Sequence, residues 1–228
     1  GARGRPRAES LDGARMTLYG RFVLPRLVHC VCGLETHRRQ RLKVVPMAVG
    51  DVLEIGFGSG LNLAHYDPSA VRKVWALEPA AEMWELAQEA VRRSALPVDL
   101  LPVSAEQIPL PDESVDTVLM TYTLCTIPDA PRALSESRRV LRLGGRLLFC
   151  EHGAAPDERV RRWQERINPL WRRLAGGCNV NRHAPSLIEA GGFHIEKLST
   201  MYLPGWRLAS FNYWGAAIPS ESPARGEG

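Results

Sequence analysis

With 228 residues, 45% of them apolar, the chain has enough material for one α/β domain with helical additions and too little for two separate cores. No stretch reaches the roughly 18 apolar residues of a membrane span. The net charge of +4 is uneven: residues 1–45 hold ten Arg and Lys against three Asp and Glu, which leaves the remainder mildly acidic. A surface built to grip nucleic acid would spread its basic residues over the fold, so no nucleic-acid partner is expected; the basic N-terminus instead suggests peripheral contact with an anionic lipid surface, or a solvated tail.

Five cysteines is an odd number, with no paired CxxC spacing, and Cys30-Val31-Cys32 lacks the second His/Cys cluster of a zinc site. They read as reduced thiols in a reducing, cytoplasmic compartment, and no metal is expected. Residues 1–15 and 220–228 read as disordered tails, 16–47 as a helical lid or interfacial segment, and 48–219 as the main domain.

Along the chain, Phe22, Val23, Leu27 and Val31 fall near helical spacing within Leu18 to Val31. Gly33 ends that segment, and Glu35 to Met47 reads as a second, basic helix. Strands are expected at 51–55, 73–77, 98–103, 115–122 and 146–151, then at 193–201 and 211–218. Helices are expected at 80–93, 131–141, 157–174 and 185–190, with Leu143-Gly144-Gly145 as the stop after the second of these. Strands alternating with helices predict a doubly wound, Rossmann-like α/β fold. Its seven-stranded sheet is mostly parallel with an antiparallel last strand, and carries helices on both faces.

Four motifs carry chemistry. The first strand runs directly into Gly56-Phe57-Gly58-Ser59-Gly60, a loop that lets backbone approach a ligand closely. Glu54, two residues before the first glycine, would repel a pyrophosphate and suits a ligand with a cationic amino acid end. Glu78-Pro79 ends the second strand, where a carboxylate can accept from both ribose hydroxyls of a nucleoside. Ser104 to Pro109 precedes the fourth strand, and Arg139 to Leu147 precedes the fifth.

In this order the four motifs resemble the class I S-adenosylmethionine-dependent methyltransferases over residues 48–152. The resemblance implies S-adenosylmethionine as cofactor. Glu54, Gly56, Gly58, Ser59 and Gly60 would hold its methionine moiety, Glu78 and Pro79 its ribose, and Ala105 and Glu106 would border its adenine. Thr121 to Thr123 would lie beside the transferring methyl, with Thr123 and His152 as the catalytic candidates. Further on, Met120 to Ile127, Cys150-Glu151-His152, Trp163-Gln164, Asn168 to Trp171, Gly177-Cys178-Asn179 and Arg182 are similar to the methyltransferase-like protein 7 group. Those are membrane-associated alkyl-thiol methyltransferases, and their bacterial relatives carry phospholipid and quinone labels. The apolar N-terminal membrane segment of the animal members has no counterpart in residues 1–34.

These readings imply a small, largely apolar acceptor: a thiol, a phenol or quinol, or a lipid amine. Nucleic-acid methylation is the alternative, but Thr121-Tyr122-Thr123-Leu124 stands where an Asp/Asn-Pro-Pro-Tyr signature would be; a binding protein without catalysis is the other. His152 is either a general base or a wall residue. Cys125 reads as a buried small hydrophobe, and Cys178-Asn179 as a pocket wall or a helix cap. Trp163, Trp171, Tyr202, Trp206 and Trp214 could line the acceptor cavity, Trp163 and Trp171 being more suited to packing the late helix on the core.

Overall fold

The computed structural model describes residues 18–220, so the expected tail at 1–15 and most of that at 220–228 lie outside the described residues. A π-helical turn at Tyr19–Val23 runs into α1 (Leu24–Cys32), followed by α2 (Glu35–Arg41). Pro46 restricts the backbone beyond α2, so the expected helix stops at Arg41 and Val45–Met47 forms a separate 3-10 turn.

The main domain follows as β1 (Gly50–Ile55), β2 (Val71–Leu77), α3 (Ala81–Arg93), β3 (Val98–Leu101), β4 (Val115–Thr121), α4 (Ala130–Val140) and β5 (Leu141–His152). Then come α5 (Glu158–Leu174), α6 (Ala184–Ala190), β6 (Phe193–Tyr202) and β7 (Phe211–Pro219). The seven strands lie in the order β3-β2-β1-β4-β5-β7-β6. Neighbours from β3 to β5 pair in parallel, and β7 runs antiparallel to both β5 and β6. The expected seven-stranded sheet with its antiparallel last strand is therefore present.

Burial explains why the central strands read as nearly continuous apolar runs. In β4 every residue but Asp116 is buried, because both sheet faces are covered. One face is packed by Ile55, Val118, Met120, Leu134, Phe149 and Ile188, the other by Val52, Val74, Leu119, Leu148 and neighbours. The Leu143-Gly144-Gly145 stretch does not stop a helix. Helix α4 ends at Val140, β5 starts at Leu141, and Gly144 (φ +78°) sits at an irregularity of the β4–β5 ladder.

Strand order reverses between β1 and β4, whose connections leave toward opposite sides. A crevice opens there beyond the carboxyl ends of the strands, the usual ligand position in open α/β sheets.

Candidate active site

The crevice encloses a cavity of about 510 Å3. Its floor is the loop after β1, where Gly56, Gly58 and Gly60 all have positive φ, at +70°, +58° and +76°. Each has its own reason. A Cβ on Gly56 would stand 2.0 Å from Thr123 Oγ1, so glycine here lets the turn after β4 close against the loop. Gly58 faces open space beside Met83, and its amide donates to Glu78 Oε2 at 3.0 Å. Gly60 turns away from the cavity, toward Ala90 and Phe57, and serves packing.

Glu78 is nearly buried. Its second oxygen accepts from Ala80 N at 3.1 Å, so the carboxylate bridges the glycine loop and the start of α3 while facing the cavity. Burial pushes its pKa up, and the two amides partly offset this. Pro79, Ser59, Ala105, Glu106, Thr121 and Thr123 also line the cavity.

Glu54 stands elsewhere. It is fully buried beneath the loop, accepting from Tyr66 Oη at 2.6 Å and Asn62 Nδ2 at 2.9 Å. Desolvation pushes it up to about 7, against the two hydrogen bonds that lower it. Asn62, which spacing arguments missed, lines the cavity instead: its Nδ2 also meets Thr121 Oγ1 at 2.9 Å, and its buried Oδ1 has no partner. A cationic amino group needs such an acceptor with a carboxylate behind it. The glycine cradle, the orphaned Asn62 oxygen and the Glu78 carboxylate together fit S-adenosylmethionine.

The roof comes from the N-terminal segment. Leu24, Pro25, Val28, His29 and Cys32 line the cavity, and His29 Nδ1 lies 2.7 Å from Ser59 Oγ. Tyr19 Oη donates to Leu174 O at 2.9 Å, tying the segment to the end of α5. The apolar stripe of the lid or interfacial segment faces out: Phe22, Val23, Leu27 and Val31 are 45–50% exposed. An apolar periodicity identifies a helix face but not what covers it.

At the far end, β4 turns sharply. Tyr122 has φ +56°, a strained value for a non-glycine residue. Its ring lies under the Arg41 guanidinium at 5.1 Å, edge-on to His37 at 4.9 Å, and stacked on His152 at 6.5 Å. Buried Glu151 holds the turn, one oxygen accepting from Thr123 N and Leu124 N at 3.0 and 3.1 Å. His152 is not on the cavity wall; its Nε2 faces Cys178 Sγ at 3.3 Å, and its Nδ1 has no partner. Burial opposes a charge on His152, but its contact with Cys178 outweighs this and raises its pKa. The Cys125 thiol and then His152 draw Cys178 down.

Several residues that carried the family resemblance build the frame of this end. Gln164 on α5 is fully buried: its Nε2 faces the carbonyls of Gly153, Val180 and Leu208 at 2.9–3.0 Å, and its Oε1 accepts from Ala155 N. Four residues on, Asn168 accepts from Val180 N and donates to Asn179 Oδ1. Arg182 donates to Leu124 O and Ile127 O, both at 2.6 Å. Polar residues at i and i+4 on an inward helix face were the available signal. Trp163, expected to pack α5 on the core, is 49% exposed, and Trp171 meets Trp206 in a tilted ring contact at 5.6 Å. Neither these residues nor Tyr202 and Trp214 line the cavity.

Residues 53–149 match the family model described as a methyltransferase domain. The chain belongs to the class I S-adenosylmethionine-dependent methyltransferases. Within that class it is 31% identical over 172 residues to human thiol S-methyltransferase TMT1A, covering 73% of this chain and 70% of that one. It is 34% identical over 122 residues to phosphatidylethanolamine N-methyltransferase of Cereibacter sphaeroides, covering 53% and 59%. The YcgJ protein of Bacillus subtilis shares the fold, with a TM-score of 0.65 at 17% identity over 82% of this chain and 100% of that one. The enzyme class and the cofactor follow; the acceptor is a separate question.

Proposed function

We propose that this methyltransferase acts on small, largely apolar thiols, with phenols and lipid amines as weaker acceptors. The carrying observation is the apolar part of the cavity lining, to which Leu24, Pro25, Val28, Cys32, Ile127 and Pro128 contribute. Such a lining favours an uncharged or amphipathic molecule over a charged polymer. Two of the relatives are a thiol and a lipid-amine methyltransferase by name, which supports the same range.

S-adenosylmethionine supplies an electrophilic methyl on a sulfonium, and the protein's task is to align it with the acceptor and exclude water. Gly58 and Ser59 approach the methionine end, Asn62 accepts from its amino group, and Glu54 supplies negative charge behind Asn62. Glu78 and Pro79 hold the ribose, and Ala105 and Glu106 border the adenine. Thr121 and Thr123 border the space where methyl and acceptor meet. The helical segment 18–34 acts as a lid, latched through His29 and Ser59. A thiol reacts as its thiolate, so turnover rises with the fraction of acceptor that is deprotonated in the site. Mass spectrometry across thiols, phenols, quinols and phosphatidylethanolamine tests the assignment: methylated thiols in preference to the others are expected, and label only on RNA or protein rejects it.

A peripheral lipid contact fits the same lid. Its outward face carries Phe22, Val23, Leu27 and Val31 beside Arg21 and Arg26, and apolar acceptors concentrate in lipid. No described helix is long and apolar enough to cross a membrane. Salt-sensitive flotation with anionic liposomes, lost on removal of residues 1–33, is expected; absence of flotation at low salt refutes the contact.

A further inference from the structure

Three ligand atoms converge beside the acceptor end of the cavity. The sulfurs of Cys125 and Cys178 and a ring nitrogen of His152 all lie within 4.8 Å of one another, and Cys178 Sγ is 3.3 Å from His152 Nε2. No local spacing announces them: Cys125 follows β4, His152 ends β5 and Cys178 follows α5. A tetrahedral zinc ion, with bonds of about 2.3 Å to sulfur and about 2.0 Å to imidazole, separates its ligand atoms by about 3.5–3.8 Å. The observed separations, 3.3 Å for one pair and no more than 4.8 Å for the others, lie close to that geometry. Two thiols and an imidazole are the donor set that selects zinc over magnesium or calcium.

The frame around these atoms is rigid. Asn179 donates to Cys125 O through both its backbone N and its Nδ2, at 3.0 and 2.8 Å, clamping the two cysteine-bearing turns together. The other ring nitrogen of His152, Nδ1, is buried without a partner. Nothing at that nitrogen fixes the tautomer, and coordination through either ring nitrogen would do so.

We propose that Cys125, His152 and Cys178 form a zinc site whose fourth position faces the cavity and takes the sulfur of the acceptor thiol. Three protein ligands are the number found at catalytic zinc, which keeps one position for water or substrate. The cavity adjoins the group: Tyr122, on its wall, stacks on His152, and Thr126 and Gly176 flank the two cysteines. On coordination the acceptor thiol gives its proton to solvent, leaving a thiolate at neutral pH. A sulfur lone pair then forms the new bond to the methyl carbon as the old carbon–sulfur bond breaks. That bonding pair stays on the departing sulfur, so both products are neutral thioethers and nothing is oxidised or reduced. The activating role rests on the thiol reading above; the site itself does not.

The test uses the full chain, stripped of metal by a chelator under a phosphine reductant and titrated with cobalt(II), then with zinc(II). One equivalent of cobalt per chain is expected, with thiolate charge-transfer absorption that zinc abolishes. X-ray absorption of the zinc form should show two protein sulfurs and one imidazole nitrogen. Cys178→Ser and His152→Ala should each weaken binding by at least about a hundredfold, the upper end of what losing an outer hydrogen-bond partner costs. Cys30→Ser, at an exposed cysteine, should leave binding unchanged. Absence of the thiolate band, a Cys125–Cys178 disulfide under reducing conditions, or binding unchanged in Cys178→Ser overturns the site. Full thiol methylation by metal-free protein overturns the activating role alone. Metal bound as described, with no thiol methylated, refutes the thiol reading and leaves the site standing.

Discussion

Glu78→Ala isolates the contribution of one carboxylate to cofactor binding. The side chain bridges Gly58 N and Ala80 N at 3.0 and 3.1 Å, and its remaining lone pairs face the cavity. Two ribose hydroxyls donating to a charged acceptor contribute about 1.5–3 kcal/mol each. Their loss therefore weakens binding by at least about 3 kcal/mol, more than a hundredfold at about 1.4 kcal/mol per decade. The fold should survive, because the strand end is also held by Trp84 Nε1 donating to the backbone carbonyl of Glu78, which the substitution leaves in place. Glu78→Gln keeps one acceptor but turns an NH2 toward amide donors, so an intermediate loss of about tenfold is expected. Isothermal titration with S-adenosylmethionine and with demethylated S-adenosylhomocysteine should give similar losses, since the ribose is common to both. A Kd for Glu78→Ala within about threefold of the unaltered protein, at unchanged Tm, would refute the ribose assignment.

Four further outcomes follow from the same geometry. Gly56→Ala should lower both stability and cofactor affinity, the backbone alone costing about 1–2 kcal/mol, because its Cβ would strike Thr123. Gly144→Ala, also at positive φ but with open space around it, should cost stability and spare affinity; equal losses of affinity by titration would contradict this. Glu54 titrates at about 7 in the fold, against an ordinary value of 4.5. The stability from its protonation is complete below 4.5 and lost as pH rises through 7, a span of about 3 kcal/mol. Glu54→Gln should therefore gain in Tm relative to the unaltered apo protein on going from pH 5 to pH 8; a pH-independent difference by calorimetry would count against the buried charge. His152→Ala, away from the cavity wall, should reduce kcat by at least about tenfold while leaving the Kd for S-adenosylmethionine within about twofold, and a matched fall in affinity would move His152 into the cofactor site.

What the sequence made legible was local. The motif loops could be read because each strand runs straight into the residues that line the cavity, β1 into Gly56 and Gly58 and β2 into Glu78. The sheet was legible because β1, β2, β4 and β5 are apolar runs between turn signals. Asn62 was missed because nothing in a single sequence marks an asparagine after a glycine loop as the residue that faces the ligand while the acid two residues before that loop supports it. Whether Phe22, Val23, Leu27 and Val31 turn inward or outward stayed open for a related reason. Spacing defines a stripe, but the covering partner is set by how the whole segment docks, here through Leu24 against Gly176 and His29 against Ser59.

The acceptor end shows why the second half of the chain resists local reading. Cys125 and His152 follow or end the neighbouring strands β4 and β5, and Cys178 comes in from the turn after α5. Their relative placement depends on Gln164, Asn168, Asn179 and Arg182, which bind backbone carbonyls and amides rather than one another's charges. An unpaired buried polar group costs about 1–3 kcal/mol, so a frame of this kind persists only if nearly every member is satisfied. The exceptions then carry information. Asn62 Oδ1 is orphaned where a cationic ligand would sit, and His152 Nδ1 is orphaned on the ring whose Nε2 faces Cys178. Six buried side-chain atoms among the described residues lack a partner, and four of them, on Asn62, Glu151, His152 and Trp171, belong to the cavity floor or to the frame beside it.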